Sequence, residues 1–169
     1  MASDAISGFK PKQVALLKPK VIAAFNASQV SSLKPKAISS LSSDQFQSLS
    51  PDSITGLKTK QLKKLPKDLF DDLSIDQINS ISPKAISGLK PKLLNSLEDD
   101  QISGFTSRQL KAFSLKQVKK VDDDFIEALS TIQLDSLKSA GRSARMMDDE
   151  EFDPINLLSV GEEVPSLII

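Results

Sequence analysis

Every eighth residue from Phe9 to Leu137 is large and apolar, through seventeen positions without an exception. A second column runs three residues earlier in each unit, from Ile6 to Leu134, and it is also unbroken. Residues 2–137 therefore read as seventeen consecutive octapeptides with no insertion or deletion. A strict internal repeat constrains the fold more than any local propensity does. One short unit cannot bury its own apolar face, so stability must come from stacking neighbours into a solenoid.

Each octad carries a helix-start signature. Ser or Lys comes first in eleven of the seventeen, often followed by Pro and then Asp or Lys, as in Ser50-Pro51-Asp52 and Ser82-Pro83-Lys84. A serine N-cap satisfies an orphan amide, and proline at the first helical position gives up only an N–H that had no partner. The apolar pair then falls at i and i+3, on one face of a short helix. The next proline opposes continuation, because it pushes the residue before it out of helical conformation. The expectation is an all-α solenoid, of either hand, built from helices of five or six residues. Helices this short are unstable alone. The seventh position of the octad is mostly Gly, Ala or Ser, which lets adjacent coils approach closely.

The fourth position sets a slower rhythm. Gln13, Gln29, Gln45, Gln61 and Gln77 alternate with Ala5, Val21, Ala37, Ser53, Leu69 and Ala85. Read as two environments, this alternation predicts a 16-residue turn of two octads, with three octads per turn as the rival. Stacking helices at about 8–10 Å would then make a rod of some eight turns and roughly 70–80 Å. The near-identical segments KPKAISSL (34–41) and SPKAISGL (82–89) are the same place on the coil, revisited 48 residues later.

Composition excludes much chemistry. The chain has no Cys, His, Trp or Tyr, so disulfides, thiolate nucleophiles and imidazole metal sites are absent. No glycine-rich phosphate loop or convergent carboxylate pair is present, and the reading is of a protein that is not an enzyme and takes no cofactor. Asp122-Asp123-Asp124 is the charged first turn of an octad, where acids suit the helix dipole. It lacks the Gly and terminal Glu of a calcium loop. No apolar run is long enough for a membrane span, and no secretory signal opens the chain. The localisation expectation is cytoplasmic, or exported by a C-terminal signal of the type I kind.

Octads such as SSDQFQSL (42–49), KTKQLKKL (58–65) and SIDQINSI (74–81) resemble the LTTAQVAAL-type octapeptide arrays of very large bacterial surface proteins, often described as adhesion or haem-utilisation proteins. The resemblance covers residues 2–137 and implies a repetitive stalk or binding surface. This chain departs from it in being rich in Lys and Pro. With no His or Cys, no haem ligand carries over.

Three surface features are candidates for function. Lys10, Lys12, Lys18, Lys20, Lys34, Lys36, Lys58 and Lys60 recur at octad positions one and three and form a candidate anion-binding ladder. An anionic polymer is the matching partner, although the lack of Tyr and Trp and the scarcity of Arg disfavour nucleic acid. A solvated face that keeps a repeat protein dispersed is the plain alternative. Second, net charge runs from +7 over residues 2–65 to −3 over 66–137 and −4 beyond. That polarity favours head-to-tail self-association, and drift among surface residues would look the same. Third, the repeat gives way to a linker over 138–151, basic and then acidic, and an apolar segment over 152–169. Phe152, Ile155, Leu157, Leu158, Val160, Leu167, Ile168 and Ile169 are the candidate residues for capping the solenoid or docking a protein partner. The function expected is a non-catalytic scaffold or adhesion-type repeat protein. The alternatives are a polyanion-binding module and an intracellular adaptor acting through the acidic-apolar tail.

Overall fold

The computed structural model describes residues 6–145, and the regular structure among them is entirely α-helical, in sixteen helices. They follow in chain order, three to a turn. The first turn holds α1 (Pro11–Ala15), α2 (Pro19–Ala23) and α3 (Ala27–Ser32), and the second holds α4 (Pro35–Ile38), α5 (Ser43–Gln47) and α6 (Pro51–Ile54). Next come α7 (Thr59–Leu62), α8 (Lys67–Asp71) and α9 (Ile75–Asn79), then α10 (Pro83–Ile86), α11 (Pro91–Leu94) and α12 (Asp99–Ser103). The fifth turn holds α13 (Ser107–Lys111), α14 (Leu115–Val118) and α15 (Asp123–Glu127), and α16 (Thr131–Arg145) lies over it.

The octad chemistry explains why each helix starts and stops. Asn26 Oδ1 accepts the amide of Gln29 at 2.9 Å, and Ser74 Oγ accepts that of Gln77 at 3.2 Å. Proline occupies the first turn of α1, α2, α4, α6, α10 and α11. The residue before each of these prolines is extended or nearly so, as at Lys34 (ψ 147°), and this breaks the helical path between octads. Both apolar columns turn inward. Val14, Ile22, Val30, Ile38, Phe46 and Ile54 are fully buried, with Leu33, Leu49 and Leu57 beside them.

Helices stack on their third neighbours. One stack runs α1–α4–α7–α10–α13–α16, a second begins α2–α5–α8, and a third runs α3–α6–α9–α12. Asn95 Nδ2 donates to the Lys120 carbonyl at 3.0 Å, which joins α11 to the corner after α14. Phe105, just past α12, meets Phe125 of α15 at 6.1 Å between ring centroids. The 16-residue, two-octad turn expected from the glutamine rhythm is therefore corrected to a 24-residue turn of three octads. The seventeen octads make fewer than six turns, so at about 8–10 Å per turn the rod is roughly 50 Å long and not 70–80 Å.

The alternating glutamines have a different cause, visible in their hydrogen bonds. A glutamine side chain has one acceptor oxygen and an NH₂ with two donors, and the third helical position uses all of them. Gln61 Oε1 accepts the Lys58 amide at the start of its own helix (2.7 Å). Its Nε2 donates to the carbonyls of Val30 (2.8 Å) and Leu33 (2.9 Å), at the end of an octad one turn below. One side chain thus satisfies the orphan N-terminal amide of one helix and the orphan Leu33 carbonyl past the end of another, and it adds a second bond to the Val30 carbonyl, which also accepts the Leu33 amide at 3.2 Å. Gln117 repeats the arrangement with Ser114, Ile86 and Leu89, and Gln109 with Thr106, Ile78 and Ile81. Ser53 makes a shorter version, its Oγ donating to the Phe25 carbonyl. Gln29, Gln45, Gln61 and Gln77 are as buried as Ala37, Leu69 and Ala85, so alternate octads do not differ in depth.

The small seventh position sits where coils touch. Ser40 Oγ and Ser48 Oγ donate to the carbonyls of Pro11 and Pro19 one turn below, each at 3.0 Å. At Gly56 the approach is closer still, since a Cβ there would lie 2.0 Å from the Ala27 carbonyl oxygen.

At the far end, Phe105, Phe113 and Phe125 cluster with centroids 5.8–6.1 Å apart. Helix α16 runs fifteen residues to Arg145, through positions 138–145 where the sequence predicts a linker. It packs across α13 and α14 and buries Leu137 and Ala140.

Candidate interaction surface

The 24-residue turn decides which surface side chains become neighbours. Third-position residues of the octad are exposed at the first turn of each helix. Along the α1 stack they are Lys12, Lys36, Lys60, Lys84, Arg108 and Ile132. Along the α3 stack they are Ser28, Asp52, Asp76, Asp100 and Asp124. The octads of the α1 stack together carry eleven Lys or Arg and one acid, Asp135. Those of the α3 stack carry, among the described residues, nine Asp or Glu and no Lys or Arg. The remaining stack, through α2 and α5, is mixed, with eight basic and four acidic residues. A chain of zero formal net charge is thus sorted by its own winding into a basic face, an acidic face and a mixed face.

Of the lysines singled out from sequence, Lys10, Lys12, Lys34, Lys36, Lys58 and Lys60 fall together on the basic face, all exposed. Lys18 and Lys20 are exposed too, but they belong to the mixed face. Lys63, Lys64, Lys84, Arg108 and Lys111 complete the basic face and were not part of the predicted ladder. The acidic face was not anticipated at all. Its signal was present as Asp52, Asp76, Asp100 and Asp124 at intervals of 24, readable only once the turn is known. The candidate cap or docking residues Phe152, Ile155, Leu157, Leu158, Val160, Leu167, Ile168 and Ile169 lie outside the described residues.

Asp122 has a structural task, its Oδ1 accepting the Phe125 amide at 3.1 Å as the N-cap of α15. Among the described residues no group of three or more acidic side chains is arranged to hold a metal ion, and no helix is long and apolar enough to cross a membrane. The ion pair between Lys67 Nζ and Asp71 Oδ2 lies on the mixed face, four residues apart within α8. The third-position side chains of the basic and acidic faces form no ion pair with a described residue.

Fold and surface together define an all-α solenoid of octapeptide repeats with charge-sorted faces. No family model, curated protein or solved structure matches the chain.

Proposed function

We propose that this chain is a non-catalytic scaffold, a stiff spacer that presents regular outer faces. The observation that carries the reading is the glutamine double cap. The buried glutamines of the array serve the ends of helices, and Gln45, Gln61, Gln77, Gln101, Gln109 and Gln117 each tie one turn to the next. Flexing between turns would break two or three buried hydrogen bonds at once, each costing about 1–3 kcal/mol when left unmade. The likeness of the octads to the arrays of large surface proteins supports the same reading.

Stiffness is directly measurable. The chain has no native cysteine, so Lys20→Cys with Glu127→Cys gives two unique labels, both at exposed positions. Pulsed dipolar spectroscopy should return one narrow distance distribution of roughly 35–45 Å, from just over four turns at about 8–10 Å each. A broad distribution would overturn the spacer reading.

A further inference from the structure

We infer that the basic and acidic faces are docking surfaces for each other, so that copies of this chain associate side by side. Three observations carry this. The first is separation: the acidic face has no described basic residue, and the basic face has a single acid near its end. The second is that these third-position charges are exposed and form no ion pair with any described residue. Like charges stacked at the spacing of coils repel one another, and an opposing ladder removes that repulsion.

The third is pitch. Lys36, Lys60, Lys84 and Arg108 recur once per turn, and so do Asp52, Asp76, Asp100 and Asp124. Both ladders are written by the same coil, so their rungs have the same rise. Two copies laid flank to flank therefore match rung for rung along the rod. A nucleic acid duplex, with a phosphate about every 1.7 Å of axis, has no such correspondence, and the exposed third positions of the face offer one arginine and no aromatic ring for it. Because the contact joins two different faces, it is heterologous and extends laterally instead of stopping at a pair. This lateral contact differs from end-to-end joining, and it is independent of the spacer reading, since a stiff monomer would leave that reading intact.

The test is analytical ultracentrifugation of the full chain with charge reversals on one face at a time. Wild type should gain mass with concentration at low salt. It should revert to monomer near about 0.5 M salt, where the screening length falls to a few ångström. A basic-face variant, Lys36→Glu with Lys60→Glu and Lys84→Glu, and an acidic-face variant, Asp52→Lys with Asp76→Lys and Asp124→Lys, should each be monomeric alone. Mixed one to one, they should co-sediment, because each supplies the face the other lost. Lys20→Glu with Lys92→Glu and Lys116→Glu, on the mixed face, should still associate. Where a reversal disturbs folding by circular dichroism, neutralisation of the same residues to Gln or Asn replaces it and should weaken association at least about tenfold by removing the opposing charge. A wild-type chain that stays monomeric at low salt overturns the proposal, as does association that survives either single-face variant. So does a monomer whose basic face instead captures heparin.

Discussion

Gln61 Nε2 reaches the Val30 carbonyl oxygen at 2.8 Å, across 31 residues of sequence and one turn of the solenoid. The same amide holds the Leu33 carbonyl, and its oxygen caps its own helix at Lys58. Two orphan backbone groups, the Lys58 N–H and the Leu33 carbonyl, depend on one side chain that is 1 % exposed, and it gives the Val30 carbonyl a second partner. Gln61→Ala should therefore destabilise the array by about 2–4 kcal/mol, from unmet polar groups and a small void. Gln13→Ala, where only the bond to the Lys10 amide is made at an exposed position, should stay within about 1 kcal/mol. Urea unfolding of the two variants checks the contrast.

Gln61→Glu gives the same site a pH dependence. A carboxylate there has no proton for the two carbonyls and is buried, so its pKa should rise above that of an unfolded-chain glutamate. With the folded-state pKa raised, stability is greatest below the unfolded value and falls as pH rises through the folded one. The variant should be less stable at pH 7 than at pH 4 when each is compared with wild type at the same pH. Thermal melts across that range would show it, and a flat difference would sink the explanation.

Gly88 lies where one turn rests on another, and an added Cβ would sit 2.3 Å from the Thr59 carbonyl oxygen. Gly88→Ala must push the turns apart and should cost about 1–3 kcal/mol as overpacking does. Gly141 in α16 has room, since an added Cβ would sit 3.4 Å from Val118 Cγ1. Gly141→Ala should stabilise by about 0.5–1 kcal/mol through helix propensity. Opposite shifts in melting temperature are the expected readout.

Phe125 occupies the fourth octad position, where a glutamine sits in the octads before and after it, and it joins the rings of Phe105 and Phe113. Phe125→Ala should cost about 3–5 kcal/mol, concentrated in the last turns because a solenoid responds locally. Hydrogen exchange should speed in α12 to α16 and stay near wild type in α3 to α6. Uniform loss of protection would contradict the nearest-neighbour picture.

Removing one octad, residues 50–57, leaves both apolar columns continuous but moves every later octad one face around. Helicity per residue should persist while salt-dependent association disappears. Removing a whole turn, residues 50–73, returns later octads to their own faces, and association should remain. Circular dichroism with sedimentation velocity separates the two outcomes.

The octad, the inward columns and the helix starts were legible in the sequence because each depends on residues within one unit. Ile38 and Leu41 mark an inner face, and Ser74 a cap, without reference to anything distant. The number of octads per turn was not legible from Gln45, Gln61 and Gln77. Their alternation looks like a two-octad turn, yet three is odd, so an alternating pattern along the chain also alternates up each stack. The choice is made by contacts between residues some 28–31 apart, and no local signal reports those. The faces followed the same fate: Lys36 and Asp44 are close in sequence, but the turn sends them to different sides.

Two clocks therefore run along this rod. Through Gln77 the glutamines keep a beat of 16 residues, while the faces keep a beat of 24. Tandem copying of 16 residues would preserve the first and misplace the charges, and copying of 24 would preserve the second and exchange glutamine for alanine. Both beats coincide again only after 48. That is the interval between Lys34-Pro35-Lys36-Ala37 and Ser82-Pro83-Lys84-Ala85, and it is the shortest length by which such a rod can grow by duplication with rivets and faces both kept in place.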